Sequence, residues 1–148
     1  MLRAIAILLL LLITSCQPKI SKDRLVNLQI VRVVSGQTVE VTFNDKIERI
    51  RIIGIDVPQQ GKAAAKSQLK QLLSSNKIQL ESNLARDRYD RILAHLWQQD
   101  TLLSEELAKL GYATANTKYP NKYSDRIFHA QEYARILGYG IWEETRSK

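Results

Sequence analysis

The chain has 148 residues, and its 22 lysines and arginines against 15 aspartates and glutamates give a net charge of +7. That length suits one domain with one hydrophobic core, while two histidines and a single cysteine argue against a zinc site and an internal disulfide. The positive charge favours phosphate-bearing or other acidic partners, although anionic lipid headgroups and the needs of solubility select the same charge.

The first 15 residues have the pattern of a signal peptide. Arg3 supplies positive charge, Ala4–Ile13 is uninterrupted apolar sequence, and the small residues Thr14 and Ser15 precede Cys16. Ten residues rise about 15 Å as a helix, roughly half of a hydrocarbon core of about 30 Å. We therefore expect this segment to be cleaved rather than to span a membrane.

The stretch Ile13–Cys16 resembles the bacterial lipobox, in which the cysteine is lipidated and becomes the first mature residue. The alternative is an ordinary signal peptide with an incidental cysteine. Residues 1–15 are then the signal peptide, and residues 16–24 are the lipidated cysteine and a polar tether. The resemblance implies export and lipid anchoring to the cell envelope. By resemblance to lipoprotein sorting rules, Gln17 in place of aspartate after Cys16 implies the outer membrane where the cell has one.

Beyond the tether, the sequence predicts a three-stranded meander. Apolar residues dominate Leu25–Val34, and Val39–Phe43 alternates with the period of a half-buried strand. A third apolar run follows at Ile47–Ile55. Turn residues separate the three runs at Ser35-Gly36 and Asn44-Asp45.

A helix and two further strands are predicted next. Apolar residues have helical spacing from Ala65 to Leu73, whereas the short runs Ile78–Leu80 and Ile92–Leu96 read as strands. Five strands interleaved with helices fit an α+β fold, a five-stranded OB-type β-barrel with three helices.

The last two helices complete this prediction. One carries an apolar stripe over Leu103–Leu110, with Ser104 as a candidate N-cap and Gly111 as the expected C-cap. The other runs roughly from Ser124 to Leu137 and places its apolar residues on one face.

Several blocks of the sequence match one known family in the correct order. Val33–Val39, Arg51–Gln59 and Asp87–Ala94 resemble the three signature blocks of the staphylococcal nuclease (thermonuclease) family, and Leu110–Ala113 and Gly138–Trp142 resemble its later landmarks. Ordered blocks of this kind are far more specific than a single motif. The resemblance covers residues 25–142 and leaves 143–148 as a polar tail.

The resemblance implies a phosphodiesterase site that combines a calcium ion, carboxylates and two arginines. Cleavage of a phosphodiester needs an activated water and neutralisation of the charge that grows on the phosphate oxygens. An arginine fork matches two phosphate oxygens, and a hard cation with oxygen ligands completes the site. The implied partner is DNA or RNA.

Specific residues of this chain fall at the family's site positions. By the resemblance, Arg51 and Arg91 would grip the phosphate, and Asp56 would be one calcium ligand. Thr38, in the first block, would be another residue of the calcium site. The neighbouring Arg88 and Tyr89 would contact the substrate.

Two site positions carry amides where the family has acids. Gln37 replaces a metal-ligating carboxylate, and Gln59 replaces the glutamate taken as the general base. A glutamine offers a carbonyl oxygen but no negative charge, and it cannot accept a proton near neutral pH. Since a positioned base contributes about 10²–10⁴ in rate, we expect weak calcium binding and inefficient hydrolysis.

Other readings of these residues stay open at this point. Arg51 could be a surface residue of its strand, and Asp56 could be a turn-forming acid. Asp90 reads as a solvated turn residue, with a relocated metal ligand or base as the alternative. Four tyrosines and three basic residues near two of them make a nucleic-acid face possible, although packing is the commoner role of tyrosine. These residues are Tyr119, Tyr123, Tyr133, Tyr139, Lys118, Lys122 and Arg126.

Three functions are compatible with the sequence. The first is a calcium-dependent phosphodiesterase, and the second is a degenerate nuclease domain that binds nucleic acid or another polyanion without cutting it. The third is an envelope interaction module that reuses the barrel for partners unrelated to phosphate. Arg51, Arg91 and Asp56 favour the first two functions, and Gln37 and Gln59 favour the second.

Overall fold

The computed structural model describes residues 26–74 and 77–146. The predicted signal peptide, Cys16 and the polar tether lie outside the described residues, so their roles stay predictions. Within these two ranges, no helix has both the length and the apolar character that crossing a membrane requires.

The described chain forms eight strands and three α-helices, with short 3₁₀ turns at Gln59–Gly61 and Gly140–Arg146. In chain order, the elements are β1 (Val26–Ser35), β2 (Thr38–Phe43), β3 (Lys46–Ile52), β4 (Ile55–Asp56), α1 (Lys62–Leu72), β5 (Ile78–Glu81), β6 (Ile92–Gln98), β7 (Thr101–Leu102), α2 (Leu103–Lys109), β8 (Thr114–Ala115) and α3 (Ser124–Leu137).

Five of the strands close into a barrel. Antiparallel pairs join β1 to β2, β2 to β3, β1 to β5 and β5 to β6. Parallel pairing of β3 with β6 closes the ring, and it places Ile50 opposite Ile92 and Arg51 opposite Leu93. The predicted five-stranded OB-type α+β barrel with three helices is therefore confirmed.

The barrel is filled by the apolar residues that alternate along its strands. Val39 and Val41 of β2 and Ile50 and Ile52 of β3 are fully buried, because successive side chains of a strand point to opposite faces and these share the inner one. The helices close the core from outside with the stripes that the sequence predicted, and their buried residues include Leu69 of α1, Leu103 and Leu107 of α2, and Ile127 of α3.

Two local predictions are wrong in detail. The third strand ends at Ile52 rather than at Ile55, because Gly54 has a φ of +86° and breaks the extended backbone. The residues after it form β4, which pairs with β8. Ser104 is not an N-cap: α2 begins at Leu103, and Ser104 lies fully buried within it.

Gly111 and Gly140 allow the backbone after α3 to pack against the end of α2. Gly111 follows α2 in the left-handed conformation at φ +75°, as expected for a residue that ends a helix. A Cβ added there would lie 2.1 Å from the carbonyl oxygen of Tyr139. The N–H of Ile141 donates to the Gly111 carbonyl at 2.9 Å, so this contact fixes the segment that follows α3.

Candidate functional site

A cleft of about 820 Å³ opens on the outside of the barrel beside β3, β4 and the loop before β6. Its charged lining contains four cations and two carboxylates, which makes the cleft positive. These charged residues are Arg51, Arg88, Arg91, Lys118, Asp56 and Asp87.

Arg51 is placed in the cleft by the register of β3. It lies opposite Thr38 of β2 and beside Leu93 of β6, and its Nη2 donates to Oδ1 of Asp56 at 2.9 Å. Burial lowers the pKa of the Arg51 guanidinium, and the nearby charge of Arg91 lowers it further. Because arginine still remains protonated in proteins, two like charges are held close together at the base of the cleft.

Asp56 is fixed from both sides. Its Oδ1 accepts from Arg51, and its Oδ2 accepts from Nδ2 of Asn116 at 2.8 Å. The orientation of the Asn116 side-chain amide is fixed, because its Oδ1 accepts hydrogen bonds from the backbone N–H groups of Lys118 and Tyr119 at 3.0 and 3.1 Å. Asn116 therefore joins the Asp56 carboxylate to the wall of the cleft that carries Lys118 and Tyr119.

Arg91 is held by a carboxylate of its own. Its Nε and Nη2 lie 2.7 and 2.6 Å from Oδ2 of Asp87, and its Nη1 donates to Oγ1 of Thr38 at 3.3 Å. The other Asp87 oxygen accepts the backbone N–H groups of Tyr89 and Arg91. Burial alone would raise the pKa of Asp87, but these hydrogen bonds outweigh it and lower that pKa overall.

Tyr89 stands at the rim of the cleft. Its ring is 61% exposed, with the guanidinium carbons of Arg88 and Arg91 at 4.8 and 5.3 Å from the ring centroid. Tyr119 is similarly exposed, and Nζ of Lys118 lies 5.3 Å from its ring centroid. An exposed aromatic face beside cations is the arrangement on which nucleic-acid bases stack.

The structure therefore separates the sequence-predicted site residues into two groups. Arg51, Asp56, Arg88, Tyr89 and Arg91 all line the cleft. Gln37, Thr38 and Gln59 are not among its lining residues.

Each residue of the second group has a different environment. Thr38 is buried beneath Arg91, and Oε1 of Gln37 accepts the backbone N–H of Val57 at 3.1 Å. Gln59 lies exposed in a 3₁₀ turn. The roles of all the predicted residues in binding or catalysis stay predictions.

Asp90 lies away from the cleft lining, as the solvated-turn interpretation predicted. Its side chain is 86% exposed, its φ is +60°, and it forms an ion pair with Arg86 at 3.4 Å. A left-handed backbone explains why glycine also suits this position.

Three contributors to the cleft were not assigned a role from the sequence. Asn116 precedes Lys118 by two residues in a turn. Asparagine side chains commonly accept a hydrogen bond from the backbone N–H two residues later, so this spacing is the sequence signal for its role in the turn. Asp87 uses the same kind of turn to position Arg91. Asn121 also lines the cleft, and its Oδ1 likewise accepts the backbone N–H two residues later, that of Tyr123, at 2.9 Å.

The oxygen atoms of the predicted metal ligands do not fit the calcium site that the family resemblance implies. Calcium prefers six to eight oxygen ligands with several carboxylates among them. Here both Asp56 oxygens accept hydrogen bonds from Arg51 and Asn116, and the Gln37 carbonyl oxygen accepts one from Val57. Across residues 26–74 and 77–146, no three histidine, cysteine, aspartate or glutamate side chains form a metal-binding group.

The barrel and its arginine cleft define a class of OB-type domain with a positively charged cleft beside the closing strands. The family model described as staphylococcal nuclease homologue matches residues 49–144. The chain belongs to the staphylococcal nuclease family.

Individual relatives support this assignment. The thermonuclease of Staphylococcus hyicus is 35% identical over 125 residues, which cover 77% of this chain and 74% of the relative. The thermonuclease of Staphylococcus intermedius is 34% identical, with 76% and 73% covered. The endonuclease YncB of Bacillus subtilis (strain 168) is 32% identical over 142 residues, covering 84% of this chain and 65% of the relative.

The Asp87–Arg91 pair predicts a pH-dependent contribution to stability. Because the folded-state pKa of Asp87 is lowered, the pair stabilises the fold when Asp87 is ionised, and this contribution is lost as the pH falls through that pKa. Asp87→Asn should therefore lower the free energy of unfolding most at neutral pH, and the difference from wild type should narrow in acid.

Urea unfolding of both proteins from neutral pH to about pH 3 measures this difference. Asp90→Asn is the matched control, because its exposed side chain makes only a solvent-screened ion pair. A constant difference between wild type and Asp87→Asn at all pH values would contradict the prediction.

Proposed function

We propose that this domain binds the phosphodiester backbone of nucleic acid in the cleft, with Arg51 and Arg91 as the phosphate contacts, and that its calcium-dependent hydrolysis is weak. The observation that carries the proposal is the convergence of these two arginines in one positive cleft, each restrained by its own carboxylate. Relatives named as thermonucleases and endonucleases support nucleic acid as the ligand.

The arginine geometry suits a phosphate that enters from solvent. Nη2 of Arg51 donates to Asp56, and Nε and Nη2 of Arg91 contact Asp87. Nη1 of Arg91 also donates to Oγ1 of Thr38 at 3.3 Å. The other N–H groups of the two side chains make no hydrogen bond within the described part of the chain, so they are available to phosphate oxygens. Restraint by the carboxylates reduces the side-chain entropy lost when an anion binds.

Weak hydrolysis follows from the acids that the cleft contains. The two carboxylates that line it, Asp56 and Asp87, are both ion-paired with arginine. A general base works best when its pKa lies near the operating pH, whereas the pKa of Asp87 is lowered. Gln37 and Gln59 supply neither a proton acceptor nor a charged calcium ligand.

The two alternative functions are less well supported. An efficient calcium-dependent phosphodiesterase would need a carboxylate set that the described cleft does not contain. An envelope module with partners unrelated to phosphate would leave the paired arginines and the rim tyrosines unexplained. A polyanion-binding domain uses both features.

We further propose that the domain is exported and attached to the cell envelope through lipid on Cys16. The support is the sequence pattern alone: a charged start, a short apolar run and a lipobox-like ending. Attachment near a membrane would place a nucleic-acid-binding domain where it meets polymer from outside the cytoplasm.

Substitution of the cleft arginines tests the binding proposal. Arg51→Gln and Arg91→Gln should each weaken binding of a single-stranded oligonucleotide roughly 10- to 100-fold, because a hydrogen bond to a charged group contributes about 1.5–3 kcal/mol. Fluorescence anisotropy of a labelled oligonucleotide measures the affinity. Arg135→Gln is the matched control, since Arg135 is an exposed arginine bound to Glu132 outside the cleft lining. Equal affinity of all four proteins would overturn the proposal.

Restoration of the two acids tests the cause of weak hydrolysis. The double variant Gln37→Asp/Gln59→Glu should gain calcium-dependent cleavage of single-stranded DNA, by about 10²–10⁴ if the base is restored. Cleavage is compared in calcium and in chelator. Chelator-sensitive cleavage by the unmodified chain at the rate of the double variant would show that the amides are not limiting.

Substitution of the predicted lipidation site tests the localisation. Cys16→Ser should move the protein from the membrane fraction to the soluble fraction and abolish its labelling by a radioactive fatty acid, because the thioether anchor cannot form. Immunoblots of fractionated cells give the readout. Unchanged membrane attachment without fatty-acid labelling in either protein would instead support an uncleaved apolar segment.

A further inference from the structure

A row of three charged residues crosses the outer face of β1, β2 and β3. The strand register places Arg32 opposite Glu40 and Glu40 opposite Arg49. Nε and Nη2 of Arg32 donate to the two Glu40 oxygens at 2.5 and 3.0 Å, and Nε of Arg49 donates to Oε1 at 3.1 Å. One carboxylate thus holds two guanidiniums side by side.

The three side chains of this row differ strongly in their exposure to solvent. The side chain of Glu40 is only 10% exposed, whereas those of Arg32 and Arg49 are 62% and 59% exposed. The hydrogen bonds from Arg32 and then from Arg49 lower the pKa of Glu40, so it stays ionised. Both arginines are therefore held by Glu40, while more than half of each arginine side chain stays exposed to solvent.

The row lies next to the cleft. Arg49 and Arg51 are two residues apart on β3, so they share one face of the strand at a separation of roughly 7 Å along it. Thr38, which pairs with Arg51 in the register, also contacts Arg91. The positive surface of the cleft therefore continues across the meander to Arg49 and Arg32.

We propose that Arg32 and Arg49 form a second phosphate-binding site, which holds the backbone of the same nucleic-acid strand after it leaves the cleft. This inference rests on the proposed function, because the strand must first bind at Arg51 and Arg91. A pair of anchored guanidinium forks matches phosphate oxygens in a way that flexible lysines do not. A strand that followed this row would run along the outside of the barrel, as single strands follow basic surfaces of other small barrels.

The competing explanation is a staple between strands. Opposite charges on neighbouring strands stabilise a sheet, and Glu40 would then serve only to hold the meander. The two explanations differ in their dependence on ligand length, since a staple does not distinguish a short strand from a long one.

The test measures binding of the full chain to a thymidine trinucleotide, which fills the cleft, and to a thymidine dodecanucleotide, which extends beyond it. For single strands, the logarithm of affinity falls with the logarithm of salt concentration with a slope of about −0.7 per neutralised phosphate. Arg32→Gln/Arg49→Gln should flatten the dodecanucleotide slope by up to about 1.4 and weaken binding, while trinucleotide affinity stays unchanged. Arg135→Gln is again the matched control.

A second variant keeps the test valid if the first one unfolds. Arg32→Lys/Arg49→Lys retains both charges but loses the fork geometry, so it should preserve most of the salt slope and weaken only dodecanucleotide binding. Circular dichroism and thermal unfolding establish that each variant is folded before binding is measured.

The outcomes separate this inference from the proposed function. If Arg51→Gln weakens both oligonucleotides but the Arg32/Arg49 variants change neither, the second site does not exist and the proposed function stands. If the variants weaken both oligonucleotides equally, the row acts as a staple and the inference is overturned. If Arg51→Gln changes neither ligand, the proposed function fails, and the inference fails with it.

A membrane is the other anionic surface that could contact this row. Lipid vesicles with and without phosphatidylglycerol provide the comparison. Loss of vesicle binding in the Arg32→Gln/Arg49→Gln variant, with dodecanucleotide binding intact, would assign the row to lipid headgroups and overturn the inference.

Discussion

The parallel pairing of β3 with β6 is the constraint on which the site depends. It closes the barrel, and it also brings Arg51, at the end of one strand, beside the loop that carries Arg91 into the next. Two like charges would separate if either side chain were free to move. The closed ring fixes their backbones, and Asp56 and Asp87 restrain their side chains, so the repulsion remains in the folded state. An anion that binds between them relieves it.

The carboxylates that hold the arginines already have hydrogen-bonding partners. The two Asp56 oxygens accept hydrogen bonds from Arg51 and Asn116. The two Asp87 oxygens accept hydrogen bonds from the Arg91 side chain and from backbone N–H groups. Each acid thus stabilises the position of neighbouring hydrogen-bond donors. In this chain, the barrel of the staphylococcal nuclease family surrounds acids that already have hydrogen-bonding partners, and this arrangement is the support for our proposal that the cleft binds phosphate but hydrolyses its ester weakly.

Much of the fold could be predicted from the sequence because its signals are local. Alternation over Val39–Phe43 and helical spacing over Ala65–Leu73 depend only on which side of an element meets the core. The break at Gly54 was missed because apolar residues surround it on both sides, and their pattern conceals a backbone turn. Ser104 was misassigned because a buried serine and a capping serine look alike without tertiary contacts. The hydrogen bond between Asn116 and Asp56 joins residues that are distant in sequence, and no single-sequence pattern records it. The Arg32–Glu40–Arg49 row depends on the exact register of the first three strands, which irregularities in the pairing of β1 with β2 shift.

The close contact between Gly111 and the segment after α3 has a consequence for how the domain is made. A ribosome releases the five barrel strands first, yet the carbonyl of Gly111 finds its partner only when Ile141 emerges. Until then, the hydrogen bond that holds the C-terminal end of α3 against the end of α2 cannot form. The packing of the end of α3 against α2 is therefore completed only after Ile141 has been synthesised, later than all five strands of the barrel.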